Sequence, residues 1–196
     1  ELDRVRPFHT KPAIPPHKIP SALKKQGVKV GIVTSSPGWY AKALIEKFSI
    51  HCDTLIAYED TEAHKPDAEP LEAALSALDV EPSEAAYVGD DAIDVEASHH
   101  AGVVSIGAAW RYSSDAALWK GFCGTSADIV LWDTGPLLKP KDLLRHGLLG
   151  ERKAAGKRAV WHRGSTLMWT ESGYSVPQVG QTFTSLMVFP VVSSEG

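Results

Sequence analysis

Three short polar clusters in the first half of the chain contain residue types that can bind an anion or a cation. The first, Thr34-Ser35-Ser36, follows an apolar run and precedes a helical pattern. A hydroxyl and backbone N–H groups at the positive end of a helix dipole can form an anion site. Ser and Thr at a helix start are more often ordinary N-caps, so this cluster alone leaves both interpretations open.

A lysine and a group of aspartates supply the charged groups. Lys65 stands beside Pro66 in a loop, where it could neutralise a phosphoryl group, although a single lysine is most often a surface residue. Asp90 follows a buried run, and Asp94 lies one helical turn further on, facing the same way. Such carboxylates suit Mg²⁺, which takes one or two carboxylates together with waters and substrate phosphate. The alternative is that these acidic residues only stabilise the dipole of the helix at whose start they lie. That interpretation accounts for Asp91 and Asp94 better than for Asp90.

The elements that must position these clusters alternate between short apolar runs and amphipathic helical patterns. Strands are predicted at residues 28–33, 54–58, 85–88, 103–106 and 128–132, the last at a sheet edge, and helices at 21–26, 39–48, 69–78, 92–101 and 141–146. This alternation predicts an α/β sandwich with a parallel sheet. Because open α/β sheets place ligands beyond the carboxyl ends of their strands, Thr34, Lys65 and Asp90 should lie close together at one edge.

Length, charge and cysteine usage narrow the class of protein. A chain of 196 residues can bury one substantial core, and its net charge of -4 and pI near 6.1 give no global attraction to nucleic acid or to an anionic membrane. Cys52 and Cys123 fall in unrelated segments without zinc-ligand spacing, which favours a reducing cytoplasm. No apolar run approaches the roughly 18 residues of a membrane span, and no signal-peptide pattern is seen, so we expect neither insertion nor export.

The last quarter of the chain differs from the rest in amino-acid composition. We divide the chain into a core domain at residues 1–146 and a basic, Trp-containing extension or tail at 147–196. The extension is expected to be either a small appended β element or a poorly ordered tail. A nucleic-acid or acidic partner for the basic segment 139–163 is conceivable, but a solvated basic linker is the more ordinary interpretation.

In their order and spacing, the three clusters resemble motifs two, three and four of the haloacid dehalogenase-like (HAD) superfamily. The matching stretches read Thr-Ser-Ser, Lys-Pro-Asp-x-Glu-Pro and Tyr-Val-Gly-Asp-Asp-x-x-Asp, and the resemblance covers roughly residues 15–146. Residues 67–70 and 103–110 are similar to the phosphoglycolate phosphatase-like branch. The resemblance implies a three-layer α/β/α Rossmann-like core with a parallel sheet and a Mg²⁺-dependent phosphomonoesterase activity on a small phosphorylated metabolite.

The resemblance also implies a role for each matching residue. Thr34 would bind the transferring phosphoryl group, with the Ser35 backbone amide beside it. Lys65 would shield negative charge on the nucleophile and the phosphate. Asp90 and Asp94 would hold Mg²⁺, directly or through water.

One part of the family pattern is missing from residues 1–33. The first motif, an Asp-x-Asp pair that supplies nucleophile and general acid, has no counterpart there, since Asp3 is followed by Arg4 and Val5, and no cap domain is visible. We therefore expect this chain alone not to turn over. The alternative function is a non-catalytic HAD-like interaction or phosphate-binding module in a larger assembly.

The missing first strand would lie between the strands that end in motifs two and four. Its loss would leave unpaired backbone groups at two inner edges, which is costly. We expect an extended segment from outside residues 1–146 to fill the gap. The candidates are an N-terminal part preceding Glu1, a partner chain, or a strand of the tail such as 185–190.

Overall fold

The computed structural model of the chain describes residues 17–108, 127–131, 134–138, 158–161, 168–170 and 185–189. Its helices are α1 (Lys18–Lys24), α2 (Gly38–Lys47), α3 (Glu69–Leu78) and α4 (Ala92–His100). Its strands are β1 (Lys29–Val33), β2 (Thr54–Ile56), β3 (Ala86–Gly89), β4 (Val104–Ala108), β5 (Ile129–Leu131), β6 (Arg158–Trp161), β7 (Met168–Thr170) and β8 (Ser185–Phe189). Short 3-10 turns cover Tyr58–Asp60, Pro82–Glu84 and Gly135–Leu138.

The strands form one sheet in the order β2-β1-β8-β3-β4-β5-β6-β7. The pairs β1–β2, β3–β4, β4–β5 and β5–β6 are parallel, as the alternation of strands and helices predicts. The strands β7 and β8 run antiparallel to their neighbours. The predicted α/β class with parallel strands is confirmed, and the two antiparallel strands make the sheet mixed.

Helices cover both faces of the sheet. On one face, Leu23 of α1 and Leu137 of the last 3-10 turn pack against side chains of β1, β3, β4 and β5. On the other face, Leu71 of α3 and Ala97 of α4 pack against β1 and β3. Because both faces are buried, β1, β3 and β4 need nearly continuous apolar runs, which is what the sequence supplies.

The tail strand β8 lies between β1 and β3, at the position expected for the missing first strand. Met187 stands opposite both Gly31 of β1 and Tyr87 of β3. The expectation that an extended segment from outside residues 1–146 fills the gap is thereby confirmed, and the segment is the tail strand among the three candidates. Since β8 is antiparallel to β1, its first residue, Ser185, lies opposite Val33 at the edge where β1 ends.

The prediction that residues 128–132 form an edge strand is wrong. β5 pairs with β4 on one side and with β6 on the other. The second neighbour comes from the segment after residue 146, which local sequence patterns could not assign to this position. The strands β6, β7 and β8 all belong to the main sheet, while the division of the chain at residue 146 stays a prediction.

The helix predicted at residues 141–146 lies outside the described residues, as does most of the basic segment 139–163. Among the helices that are described, none combines the length and the apolar character required to cross a membrane.

Candidate functional site

Thr34 lies directly after β1 and is buried, with 8% of its surface exposed. Its backbone N–H donates to the carbonyl of Ile56 at 2.9 Å, so the end of β2 holds it in place. Its hydroxyl oxygen Oγ1 accepts a hydrogen bond from the Ser36 N–H at 3.1 Å. The hydroxyl proton can still be donated, because a threonine hydroxyl is both donor and acceptor. Ser35, beside it, is exposed.

At the start of α2, a backbone N–H is hydrogen-bonded to one of the protein's own carboxylates. The N–H of Gly38 donates to both oxygens of Glu59, at 2.8 and 3.0 Å. A Cβ at position 38 would come within 2.7 Å of Glu59 Oε1, so a larger residue there would displace this carboxylate. An anion bound at this end of the sheet would therefore use the turn at residues 34–36 and not the Gly38 amide.

Lys65 forms a buried ion pair and is not the surface lysine that the ordinary interpretation predicts. Its Nζ donates to Asp94 Oδ1 at 2.6 Å and to the Tyr87 hydroxyl at 2.9 Å. Only 6% of the Lys65 side chain and 4% of the Asp94 side chain are exposed. The Tyr87 hydroxyl also lies 3.3 Å from the Val33 carbonyl oxygen and 3.4 Å from Asp94 Oδ1, either of which can accept its single proton.

The second oxygen of Asp94 closes the turn between β3 and α4. Its Oδ2 accepts hydrogen bonds from the backbone N–H groups of Asp90, at 3.0 Å, and Asp91, at 3.2 Å. A Cβ at Gly89 would lie 2.2 Å from the Cβ of Asp94, so only glycine at the end of β3 allows this approach. Both carboxylate oxygens of Asp94 therefore have protein donors.

Hydrogen bonds between side chains and backbone groups hold the loop that carries Lys65 in place. The carboxylate of Glu69 accepts hydrogen bonds from the N–H groups of Glu62, at 3.1 Å, and Ala63, at 2.6 Å. His100 Nδ1 lies 2.7 Å from the Pro66 carbonyl oxygen, which ties the loop to the end of α4. The lysine is thus held from several sides before any ligand binds.

Thr34, Ser35 and Lys65 line one cleft. The cleft has about 200 Å³ of empty volume that is open to solvent. Tyr58 and His64 also line it, with their rings stacked 3.9 Å apart between centroids. Asp90 is joined to this cleft through Asp94, which bonds both the Lys65 ammonium and the Asp90 amide. The predicted cation of Lys65, the hydroxyl of Thr34 and the strand-end residue Asp90 are therefore brought to one edge of the sheet.

A magnesium ion at this edge would find a small ligand set among the described residues, where no three His, Cys, Asp or Glu side chains gather. Asp90 is partly buried at the end of β3, Asp91 is exposed, and Asp94 is engaged by Lys65, Tyr87 and the two amides. Mg²⁺ commonly binds one or two carboxylates and keeps several waters, so a magnesium site at Asp90 stays a prediction. A water-mediated part for Asp94 stays a prediction.

Tyr87, Tyr58 and His64 are residues of this site that the sequence patterns did not single out. Tyr87 stood at the start of the fourth-motif stretch without a role of its own, yet a buried tyrosine hydroxyl usually needs a hydrogen-bond partner. That rule was the available signal for Tyr87. No comparable signal marks the stacked pair, because its geometry depends on the path of the loop at residues 57–69.

Two other side chains, those of Ser105 and Cys52, could act as nucleophiles, but their surroundings do not favour that role. Ser105 is 1% exposed, and its hydroxyl donates to Asp128 Oδ2 at 2.9 Å and lies 3.2 Å from His99 Nε2, which ties β4 to the start of β5. Burial raises the pKa of the Cys52 thiol, as does the neighbouring Asp53 carboxylate, so little thiolate forms near neutral pH.

Comparison with known proteins places these residues in a family context. The sequence pattern of the haloacid dehalogenase-like hydrolases matches residues 11–108, half of the chain. The chain is 37% identical over 102 residues to the pyrophosphatase PpaX of Bacillus thuringiensis, covering 49% of this chain and 45% of that protein. The same identity and coverage hold for the pyrophosphatase PpaX of Bacillus anthracis. The chain thus spans less than half the length of these curated relatives.

Solved structures agree on the fold. A phosphonoacetaldehyde hydrolase-like protein from Oleispira antarctica superposes with a TM-score of 0.58 at 20% identity, covering 70% of this chain and 59% of that one. CbbY from Rhodobacter sphaeroides, solved in complex with phosphate, gives a TM-score of 0.51 at 23% identity, covering 62% and 56%. With the family pattern matched over half its length and its motifs gathered at one sheet edge, the chain belongs to the haloacid dehalogenase-like hydrolase family.

Proposed function

We propose that this chain is the core of a phosphohydrolase that binds a phosphate monoester of a small metabolite in the cleft at the end of β1. The observation that carries the proposal is the shared cleft of Thr34 and Lys65, with the lysine charge held by Asp94. A buried cation beside a hydroxyl and the Ser35 backbone amide is a combination suited to a phosphoryl group. A cytoplasmic location remains the prediction made from the cysteines.

Each residue of the cleft has a distinct part in the proposal. The Thr34 hydroxyl and the Ser35 amide bind oxygens of the phosphoryl group, and Lys65 offsets its negative charge. Asp94 and Tyr87 act through Lys65, because their hydrogen bonds hold its ammonium group in the low-dielectric interior. The pair is costly to bury, and this geometry offsets the cost by satisfying both oxygens of Asp94.

Magnesium is part of the proposal through Asp90. Bound there with waters, the ion would supply further positive charge to the phosphate oxygens and to the leaving group. The HAD resemblance motivates this assignment, and the position of Asp90 after β3 supports it.

A non-catalytic phosphate-binding module is the second candidate. One observation favours it, namely that β8 fills the central position in the antiparallel sense and that residues 185–189 contain no acid. An attacking carboxylate is needed for the covalent route. Hydrolysis of an aryl phosphate by the pure chain, abolished by Asp90→Asn, would exclude this second candidate.

Binding of orthophosphate to the pure chain, followed by ³¹P NMR with and without Mg²⁺, tests the site. We expect Thr34→Val, which removes only the hydroxyl, to weaken binding about tenfold, since hydrogen bonds to charged groups contribute roughly 1.5–3 kcal/mol. Lys65→Met, combined with Asp94→Asn to avoid a buried unpaired carboxylate, should weaken it at least as much.

Lys42→Met is the matched control, because it removes the charge of an exposed lysine on α2. We expect this variant to bind phosphate within twofold of the unaltered chain. The proposal fails if orthophosphate does not bind at millimolar concentration, or if Thr34→Val and Lys42→Met behave alike.

A further inference from the structure

The cleft has two chemically different walls. Thr34 and Lys65 form a polar end, whereas Tyr58, His64 and Pro70 supply ring faces and carbon atoms. The polar end is sufficient for a phosphoryl group. A phosphate or pyrophosphate anion alone would leave the aromatic wall without a partner.

Tyr58 is exposed in spite of its size. Its ring stacks on that of His64, with 3.9 Å between centroids and 28° between planes, yet 49% of the residue's surface remains in solvent. Aromatic side chains bury large areas when they have a partner, so an exposed ring beside a polar cleft is suited to receive one.

Hydrogen bonds of the backbone tie the segment that carries this ring to the phosphate end of the cleft. The N–H of Tyr58 donates to the Ser36 carbonyl at 3.1 Å, which joins it to the turn that contains Thr34. The N–H of Ala57 donates to Asp60 Oδ2 at 2.7 Å, which closes the 3-10 turn around Tyr58. The backbone that carries the ring is therefore tied to the turn that contains Thr34.

We propose that Tyr58, backed by His64, stacks on a planar ring in the leaving group, so that the substrate class is an aryl or heteroaryl phosphate monoester. This inference rests on the proposed function of the Thr34 and Lys65 end.

Two non-hydrolysable dianions separate the ring from the phosphoryl group. Phenylphosphonate and methylphosphonate present the same charged head, and calorimetric titration of the full chain measures both dissociation constants. We expect phenylphosphonate to bind about three- to tenfold more tightly, the range that aromatic stacking provides. Tyr58→Leu, which removes the ring but keeps an apolar side chain, should abolish that preference.

Trp39→Leu is the matched control. Trp39 is also an exposed aromatic residue, at 54%, but it lies on α2 and is not among the residues that line the cleft. This variant should keep the preference for phenylphosphonate.

The outcomes separate the two proposals. If neither phosphonate binds the unaltered chain, the proposed function fails and this inference fails with it. If both bind with equal affinity, or if Tyr58→Leu keeps the preference, the aromatic wall has no part in selecting the substrate while the phosphate site stands.

Discussion

Gly89 determines how closely α4 can approach the end of β3. The space that a side chain would need at this position is occupied by Asp94, whose carboxylate bonds Lys65 on one side and the β3–α4 turn on the other. A residue with no chemistry of its own thus decides whether the charged pair can form.

Gly89→Ala should therefore damage both stability and phosphate binding. A new Cβ 2.2 Å from that of Asp94 cannot be accommodated by rotating a side chain, so α4 must move. We expect the free energy of unfolding to fall by about 2–3 kcal/mol, in the range of overpacked cores, and orthophosphate affinity to fall with it. Chemical denaturation and ³¹P NMR measure the two effects.

Gly27→Ala serves as the control for this substitution. Gly27 has a φ of 77°, but a Cβ there would meet no atom within 4 Å. Gly27→Ala should lower the free energy of unfolding by about 1 kcal/mol, because alanine is strained in the left-handed backbone conformation. The phosphate affinity should not change. Equal losses of affinity in the two variants would show that the contact of Gly89 with Asp94 is not what positions Lys65.

At the scale of elements, the ends of β1 and β2 opposite the site are joined by Asp53. Its carboxylate accepts a hydrogen bond from the Val30 N–H at 2.8 Å and pairs with Lys24 at the end of α1. Burial acts to raise the pKa of Asp53, but the hydrogen bonds from Lys24 and Val30 outweigh it and hold the pKa below its usual value. One side chain thereby connects a helix and two strands.

Asp53→Asn should lower the free energy of unfolding at pH 7 by about 1 kcal/mol, as expected for a partly exposed charge-assisted contact. Because the folded-state pKa is lowered, the carboxylate stabilises the fold above the unfolded-state pKa near 3.9, and this is lost as pH falls through the folded-state value. The difference between variant and parent should thus be constant near neutrality and shrink below about pH 4.

Urea denaturation between pH 3 and pH 7 checks this expectation. Glu46→Gln is the comparison, since Glu46 is an exposed acid on α2. A difference for Asp53→Asn that grows as the pH falls would contradict the assigned sign.

At the scale of the whole molecule, the sheet depends on a strand that is distant in sequence. β8 joins β1 to β3, so the two strands that deliver Thr34 and Asp90 are connected through residues 185–189. The geometry of the site is therefore coupled to the pairing of the tail.

Val188→Pro should disrupt this connection. Proline cannot donate to a ladder and is excluded from central strands, and each buried backbone group left unpaired costs about 1–3 kcal/mol. Val188 stands opposite both Val30 and Ala86, so we expect the amides of β1 and β3 to lose protection in hydrogen exchange.

Met168→Pro provides the comparison at the sheet edge. β7 is the last strand in the order, and Met168 pairs only with Val160 of β6 among the described strands. Its effect should be local and should leave β1 and β3 protected. If the two proline variants were equally mild, β8 would not be the central strand in solution.

The sequence by itself determined the parts of this protein that depend on local chemistry. The apolar runs, helix patterns and turn residues predicted α3 at Glu69–Leu78 and placed the other core elements within a few residues of their observed bounds. Strand direction then required Thr34, Lys65 and Asp90 to share one edge, since parallel strands end on the same side. Their assigned roles remain predictions, and the HAD resemblance motivates them.

Only the tertiary structure decided which partners these residues have. An apolar run such as 185–189 can pair at any open edge, so its position and its antiparallel direction follow from the gap that the rest of the fold leaves. The same reason explains why β5 is not an edge strand and why Tyr58 meets His64. Contacts between residues far apart in sequence depend on how the whole chain packs, and local patterns carry no information about that packing.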